Sequence, residues 1–211
     1  MNTKKLLAVL VSAAMCGAAF AGCGNNADSS KAESKAESSS SQVEKMPETD
    51  EEWTQAMYDK AMVSYGNTSM IQKVIKKAQS GEKVTVAYLG GSITEGISAG
   101  ADGCYAKLTY DYFAQKFGTG DNVQYVNAGL SGTPSKLGIL RLDRDVLAYE
   151  PDICFIEFAV NDGTEADYQN AYESIVRTLL QKNITPVLLF SVTENDHSAQ
   201  DYMKQIGEFY H

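Results

Sequence analysis

The chain has 211 residues and a formal net charge of −9 at pH 7, with 44% hydrophobic and 21% charged residues. This length suits one domain of ordinary size, and a composition close to the globular average excludes wholesale disorder and fibrous architectures. The acidic balance argues against nucleic-acid binding, which needs a basic face, and four cysteines are too few for a disulfide scaffold.

An export signal is predicted at residues 1–22. Two lysines precede an uncharged apolar stretch over residues 6–20, which is shorter than the ~20 residues needed to cross a bilayer. Residues 20–23, Phe-Ala-Gly-Cys, resemble the lipobox of bacterial lipoproteins, which implies cleavage before Cys23 and lipidation of its thiol. The alternative is an ordinary secretory signal cut after Ala21. Both interpretations place the mature protein outside the cytoplasmic membrane, either lipid-anchored or secreted.

Residues 23–50 are predicted to be the lipidated cysteine followed by a flexible linker. Residues 24–45 are rich in Ser, Ala, Asn, Glu and Lys, and Val43 is their only large apolar residue. Such a segment cannot bury enough surface to offset the entropy of ordering its backbone. The folded domain is therefore predicted over residues 51–211.

Two helices are predicted at the start of this domain. Thr49 and Glu52 have the spacing of a capping box ahead of a helix over residues 53–61. A second helix over residues 71–78 carries apolar side chains on one face. It is expected to end at Gly81, since glycine is favoured just after a helix.

The rest of the domain alternates between strand and helix. The predicted strands are residues 84–89, 123–126, 153–160 and 186–192, and the predicted helices cover residues 105–117, 137–147, 168–179 and 202–209. The first strand is a short, β-branched apolar run and is expected to be buried on both faces. Strands separated by helices indicate βαβ units. The predicted fold class is therefore α/β, a three-layer α/β/α arrangement around a parallel, flavodoxin-like sheet with four strands present.

Chemistry is expected at the carboxyl ends of these strands, where reactive groups of parallel sheets gather. After the first strand, residues 89–96 are Leu-Gly-Gly-Ser-Ile-Thr-Glu-Gly. The glycine pair permits a sharp turn that lifts the Ser92 hydroxyl above the sheet, where a base would make it a nucleophile. A phosphate-binding loop is the alternative, but the Lys-Ser/Thr of a P-loop and the G-x-G-x-x-G of dinucleotide folds are both missing.

The next two strand ends carry candidate hydrogen-bond donors. In residues 126–133, Gly129 or Gly132 leaves a backbone N–H open to a pocket, as an oxyanion donor requires, although glycine is also common in ordinary turns. Asn161 follows the third strand and has a side-chain amide that can donate to an anionic oxygen. An ordinary role as a helix N-cap is the alternative for Asn161.

These residues together resemble the first three sequence blocks of the SGNH (GDSL-like) hydrolase superfamily, from about Val84 onward. Gly-Gly-Ser-Ile-Thr stands in the place of Gly-Asp-Ser-Leu, and Ala-Val-Asn-Asp in the place of Gly-x-Asn-Asp. The resemblance implies that Ser92 is the nucleophile. It also implies an oxyanion hole formed by the backbone amides of Ser92 and Gly132 and the side chain of Asn161. Gly132 is preferred to Gly129 because the block-two glycine usually follows a small residue and precedes Thr or Asp.

The general base of the superfamily lies in an Asp-x-x-His block after a fifth strand, and this sequence contains no such block. His197 follows the fourth strand and His211 ends a helical stripe, so both are interpreted as surface residues. The sequence is therefore expected to be a fragment that lacks the fifth strand and the Asp-His pair. Such a fragment is expected to be poorly active, because members of a catalytic triad act as a unit.

The predicted function is ester hydrolysis by a membrane-anchored, extracellular serine esterase, with deacetylation of polysaccharide as the expected reaction. The expected partners are an ester-bearing small molecule or acetylated polysaccharide, and the membrane through the lipid anchor. The alternative is a non-catalytic surface lipoprotein that binds carbohydrate or another surface partner. No cofactor or metal is expected, since no His/Cys/Asp cluster has ligand spacing. The sequence leaves open whether Cys104 and Cys154 form a disulfide.

Overall fold

The computed structural model describes residues 49–211, so the predicted signal, Cys23 and nearly all of the predicted linker lie outside the described residues. Helix α1 (Asp50–Ala61) begins with the predicted capping box. The Glu52 backbone N–H donates to Thr49 Oγ1 at 3.1 Å, and the Thr49 N–H donates to Glu52 Oε2 at 3.2 Å. Helix α1 belongs to a different compact unit from residues 63–211.

Residues 63–211 alternate between helices and strands in the predicted order. Their elements are α2 (Thr68–Gln79), β1 (Val84–Gly90), α3 (Ser92–Glu95), α4 (Tyr105–Phe117), β2 (Val123–Gly129), α5 (Ser135–Asp145), β3 (Ile153–Glu157), α6 (Ala166–Gln181), β4 (Thr185–Leu189) and α7 (Gln200–Tyr210). A short 3₁₀ turn, Leu147–Tyr149, precedes β3. Within residues 49–211, no helix combines the length and the apolar character that a membrane span requires.

The four strands form one parallel sheet in the order β2-β1-β3-β4. Every residue of β1 is buried, as its apolar sequence predicts. Helices α2 and α4 pack with each other and against β1 and β2, while α5, α6 and α7 form a second packed group. The predicted α/β class with a parallel four-stranded sheet between helices is confirmed. Gly90 pairs with Gly129 and with Glu157, so the ends of three strands lie side by side.

Strands β2, β3 and β4 end at this edge at residues other than those predicted, and β4 ends at Leu189 rather than at residue 192. Strand β2 continues to Gly129, because its last residues still pair with β1. Strand β3 ends at Glu157 rather than at residue 160, because the chain turns at Phe158. The backbone amides of Asn161 and Asp162 both donate to the Phe158 carbonyl, at 2.9 and 3.0 Å. This turn sets the position of the Asn161 backbone, from which its side chain extends.

Helix α5 is present where a helix was predicted, but Leu142 is the one leucine of this helix on its buried face. Leu137 and Leu140 are 46% and 81% exposed, whereas Gly138 and Arg141 are buried. A Cβ atom at position 138 would lie 2.6 Å from Cζ of Phe158. The missing side chain therefore lets α5 approach the end of β3 closely, and this approach places Arg141 beside the strand ends.

Two buried tyrosines of the second helix group differ in whether their hydroxyl has a partner. The rings of Tyr172 and Tyr202 pack edge to face with centroids 6.1 Å apart. The Tyr202 hydroxyl donates to Asp162 Oδ2 at 2.8 Å. The Tyr172 hydroxyl is buried and has no hydrogen-bond partner among the described residues. Leaving a buried polar group unpaired costs about 1–3 kcal/mol, so this hydroxyl opposes folding.

We therefore expect Tyr172→Phe to raise the free energy of unfolding by about 1 kcal/mol, because it removes an unpaired buried hydroxyl. Tyr202→Phe, the same change on the neighbouring ring, is expected to lower it by about 1–2 kcal/mol, because Asp162 loses a donor. Urea denaturation of both variants measures the two values. A Tyr172→Phe variant that is less stable than Tyr202→Phe would contradict the different roles assigned to the two hydroxyls.

Candidate active site

Ser92 lies directly after β1 and Gly91, at the first position of α3. Its side chain is half-buried, and its hydroxyl makes no hydrogen bond with a described residue. Its backbone N–H is also without an acceptor, as is usual for the first residue of a helix. Its carbonyl accepts from the amides of Gly96 and Ile97, at 3.0 and 3.2 Å. The serine turn (residues 90–96) thus presents both the hydroxyl and the amide of Ser92 to a ligand.

Asn161 lies against the backbone of the serine turn. A Cβ atom at position 91 would be 2.3 Å from Asn161 Oδ1 and 3.2 Å from Asn161 Nδ2, so the amide occupies the space of the missing side chain. Oδ1 is buried and has no hydrogen-bond partner among the described residues. Nδ2 makes no hydrogen bond with a described residue and is not enclosed. Asn161 therefore has a free N–H donor beside the residue that precedes Ser92.

Gly132 belongs to the glycine loop (residues 129–133), which two hydrogen bonds join to the serine turn. The Leu130 amide donates to the Gly90 carbonyl at 3.0 Å, and the Ser131 amide donates to Glu95 Oε2 at 2.6 Å. Gly132 has a φ of +69°, in the left-handed region that glycine adopts without strain. Its backbone N–H makes no hydrogen bond with a described residue.

The structure distinguishes Gly129 from Gly132, the two glycines that the sequence analysis considered as oxyanion donors. The Gly129 amide already donates to Asn127 Oδ1 at 2.8 Å. A Cβ atom at position 129 would lie 2.2 Å from the Glu95 backbone nitrogen, so this glycine serves the close packing of β2 on α3. The free amide of Gly132 supports the preference for Gly132, whose catalytic role stays a prediction.

Arg141 bridges the ends of β1 and β2 from α5. Its side chain is 8% exposed, and it donates to the Ala128 carbonyl at 2.6 Å and to the Gly90 carbonyl at 3.0 Å. Asp145, one turn further along α5, accepts from the same guanidinium at 3.2 Å. A buried guanidinium with hydrogen-bonded carbonyls and a carboxylate partner is largely compensated for its desolvation. Arg141 therefore holds together the two strand ends that carry the serine turn and the glycine loop.

Asp162, the residue after Asn161, is occupied by structural hydrogen bonds. Its carboxylate accepts from the Ser135 backbone amide at 2.7 Å, at the start of α5, and from the Tyr202 hydroxyl at 2.8 Å. Burial raises the pKa of Asp162, and these two donors oppose the shift. The two neighbouring residues thus have different roles. Asp162 binds α5 and α7, while the side-chain amide of Asn161 remains free.

Neither histidine contacts the Ser92 hydroxyl. His197 is exposed in the segment between β4 and α7, where its backbone exchanges hydrogen bonds with Thr193. His211 is exposed after α7, and its carbonyl accepts from the Asn67 amide at 2.6 Å. Both positions agree with the interpretation of these histidines as surface residues.

The two cysteines of the described chain, Cys104 and Cys154, are free and buried, so they form no disulfide in this structure. Burial raises the pKa of Cys154 to about 12, which makes its thiol unreactive at neutral pH. Residues 49–211 contain no group of three or more His, Cys, Asp or Glu side chains that could hold a metal ion.

Three charged residues of the site were not predicted from the sequence: Glu95, Arg141 and Glu157. Glu157 is the one charged residue in the apolar run of residues 153–160, and this position in a buried strand is a sequence signal for a buried carboxylate. Glu95 and Arg141 lie in helices, where charged side chains are ordinary. Their sequence positions contain no pattern that distinguishes them from surface residues.

The fold and the site define an α/β protein with a serine, a free glycine amide and an asparagine amide at the carboxyl edge of a parallel sheet. The family model of the GDSL-like lipase/acylhydrolase family matches residues 88–210. The chain belongs to this family, which confirms the resemblance found in the sequence. Comparison with curated proteins gave no significant match.

Solved structures of esterases are similar to this chain. A two-domain esterase (CEX) active on acetylated mannans is 32% identical, with a TM-score of 0.69 over 72% of this chain and 42% of its own. AlinE4, an SGNH-hydrolase family esterase, is 18% identical, with a TM-score of 0.50 over 62% of this chain and 74% of its own. A mutant of Axe2, an acetyl-xylooligosaccharide esterase from Geobacillus, is 19% identical, with a TM-score of 0.51 over 63% of this chain and 75% of its own.

These likenesses differ in what they support. AlinE4 and Axe2 are below 20% identity to this chain and show the fold alone. The chain spans less than half the length of the mannan esterase, 42% of it.

We expect Gly91→Ala to displace the Asn161 amide, because the new methyl group would lie 2.3 Å from Oδ1. Loss of one oxyanion donor typically lowers turnover ~10²–10³-fold. Rates of acetyl-ester hydrolysis by the full gene product, with a crystal structure of the variant, would measure both effects. Gly207→Ala is the control, because its methyl group would meet only the flexible Leu188 side chain, at 3.1 Å. Equal losses in the two variants would show that the Gly91 contact is not specific.

Proposed function

We propose that this chain carries the nucleophile of an extracellular serine esterase that removes acetyl groups from polysaccharide. One observation carries the proposal. Three N–H donors without an acceptor among the described residues, from Ser92, Gly132 and Asn161, lie on the turns after β1, β2 and β3, at the sheet edge that also carries the half-buried Ser92 hydroxyl. Acyl transfer requires such donors to be in place where the oxyanion of the intermediate forms.

In the proposed reaction each donor has a part. Ser92 Oγ attacks the carbonyl carbon of the ester, and the carbonyl oxygen becomes an oxyanion that accepts from the three N–H groups. Collapse of this intermediate breaks the C–O bond to the sugar, whose oxygen takes the proton that Ser92 gave to the base and leaves as a hydroxyl, and the acetyl group stays on Ser92. Water then attacks the acetyl-enzyme at the same carbon, with the same donors stabilising the oxyanion, and releases acetate.

The proton of Ser92 requires a base, because a serine hydroxyl is a poor nucleophile without one. No side chain among residues 49–211 accepts a hydrogen bond from this hydroxyl. The superfamily resemblance assigns the role to a histidine of an Asp-x-x-His block, which residues 1–211 do not contain. The base of the proposed reaction therefore stays unassigned among residues 49–211.

The substrate class rests on the similarity to the mannan esterase and on the predicted location outside the membrane. The mannan esterase is active on acetylated mannans and is 32% identical to this chain. The three donors recognise the carbonyl oxygen of any ester, so they support ester hydrolysis but do not select the alcohol. Acetylated polysaccharide is the substrate that agrees with both the similarity and the proposed location.

Ser92→Ala is expected to lower the rate of acetate release from acetylated mannan by roughly 10⁴-fold or more, because the nucleophile is lost. Acetate released by the full gene product is the measurement. Ser174→Ala is the matched control, since the Ser174 hydroxyl donates to the Asn170 carbonyl within α6 and has no part in the site. Equal rates for Ser92→Ala and the parent protein would reject the nucleophile assignment.

A non-catalytic lipoprotein that binds carbohydrate is the second candidate, favoured by the lack of a base near Ser92 among residues 49–211. Binding of acetylated mannan, measured by calorimetry, separates the two candidates. A parent protein that binds the polymer but releases no acetate, with Ser92→Ala binding equally well, would favour the binder. Acetate release that depends on Ser92 would favour the esterase.

We also propose that a lipid on Cys23 anchors the protein to the outer face of the cytoplasmic membrane, from the lipobox-like residues 20–23. Cys23→Ala is expected to prevent lipidation and to move the protein from the membrane fraction. Incorporation of labelled palmitate and cell fractionation measure the two effects. Cys16→Ala is the control, because Cys16 lies within the predicted signal and is removed with it. Palmitate incorporation by the Cys23→Ala variant would contradict the proposed anchor.

A further inference from the structure

Glu157 is a fully buried carboxylate, 0% exposed, at the end of β3. It pairs with Gly90 on one side and with Leu189 on the other, so it lies in the middle of the sheet edge. A buried carboxylate is expensive unless other groups compensate its charge. Neither the proposed mechanism nor the family resemblance gives this residue a part.

Hydroxyl groups from two other segments bind the Glu157 carboxylate. Ser191, two residues after β4, donates to Oε1, and Thr94 in the serine turn donates to Oε2 at 3.3 Å. Thr94 Oγ1 also lies 2.9 Å from the Tyr105 hydroxyl. Because an ionised carboxylate only accepts, Thr94 gives its proton to Glu157 and accepts the proton of Tyr105.

Glu157 has no ion-pair partner among residues 49–211. Burial raises its pKa, and the like charge of Asp162 adds to this, while the hydroxyls of Ser191 and Thr94 and the Gly91 amide lower it. An apolar side chain of similar volume would avoid the cost of desolvation. The carboxylate therefore contributes little to stability, and its hydrogen bonds explain its presence better than its packing does.

The serine turn needs such bonds because α3 contains only four residues. A single helical turn is unstable alone, since nucleation fixes several residues for one or two hydrogen bonds. Bonds from outside hold it. Asn127 Nδ2 donates to the Thr94 carbonyl at 2.9 Å, the Glu95 carboxylate binds the glycine loop, and the Thr94 side chain binds Glu157.

We propose that Glu157 is a positioning residue that sets the place of Ser92 relative to Asn161. The inference rests on the proposed function and adds a residue to it. Thr94 is two residues after Ser92, and Asn161 is four residues after Glu157. The Thr94–Glu157 hydrogen bond is thus a short side-chain connection between the turn that carries the nucleophile and the turn that carries the amide donor. Ser191 extends the connection to the segment after β4.

Glu157→Met and Glu157→Gln in the full gene product test this role. Methionine has a similar volume but cannot bind either hydroxyl, so we expect kcat for an acetyl ester to fall about tenfold to hundredfold with KM within twofold. Unfolding in urea is expected to show a stability close to that of the parent, because removal of a buried charge offsets the loss of an acceptor for the two hydroxyls. Glutamine can accept from Ser191 and donate to Thr94, so we expect Glu157→Gln to retain kcat within about fivefold.

Glu173→Met is the matched control, since Glu173 accepts from the Tyr210 hydroxyl at 2.8 Å outside the site. A Glu157→Met variant with parent kcat, or a Glu157→Gln variant as slow as Glu157→Met, would overturn the proposal. If Glu157→Met does not fold, Thr94→Val and Thr94→Ser decide, because only serine retains the hydroxyl. Thr94→Val is then expected to lose kcat and Thr94→Ser to keep it, and equal kcat values would overturn the proposal.

Ser92→Ala in the same assay separates this inference from the proposed function. If Ser92→Ala abolishes hydrolysis while Glu157→Met keeps the parent rate, the esterase stands and the positioning role fails. If Ser92→Ala keeps the parent rate, the proposed function itself fails. In the double variant Glu157→Met/Thr94→Val, the two losses are expected to be less than multiplicative, as for residues that act through one contact.

Discussion

The site depends on two positions without side chains at the end of β1. A Cβ atom at Gly90 would lie 2.0 Å from Thr94 Oγ1, and one at Gly91 would lie 2.3 Å from Asn161 Oδ1. The space left by these two glycines admits the serine turn on one side and the asparagine amide on the other. A larger residue at either position would separate groups that the proposed acyl transfer brings together. The glycine pair therefore serves close approach, since neither residue has a positive φ.

The strand ends are kept together by buried polar side chains from different elements. Arg141 joins the carbonyls of Gly90 and Ala128, Glu157 joins Thr94 and Ser191, and Asp162 joins Ser135 and Tyr202. Each is a charged group in a poorly hydrated place, where an unpaired partner is expensive. Such networks favour a single arrangement, which suits a site whose donors must be in place before the substrate arrives.

The free donors and the bonded groups divide the edge of the sheet into two parts. The amides of Ser92 and Gly132 and the Asn161 side chain have no acceptor among the described residues, while the neighbouring amides of Gly129, Leu130 and Ser131 are all bonded. Satisfied backbone groups hold the loops, and the unsatisfied ones are available to a ligand. This division is the physical basis for the proposed esterase, and it does not depend on which alcohol the ester contains.

Local sequence was sufficient for the order of the elements, the parallel α/β class and the place of Ser92 and Asn161 at strand ends. Apolar periodicity, glycine pairs and caps are properties of neighbouring residues, so a single sequence determines them. The predicted strand ends were less accurate, because the chain leaves the sheet in a turn at Phe158, and the apolar side chain of Phe158 does not indicate a turn. Only the tertiary structure decided that the Gly129 amide is occupied, that α5 buries Gly138 and Arg141 while Leu137 and Leu140 are exposed, and that Glu157 binds Thr94. The contacts of Arg141 with the strand ends and of Glu157 with Thr94 join residues 13 to 63 positions apart, and contacts over such separations leave no pattern in the local sequence.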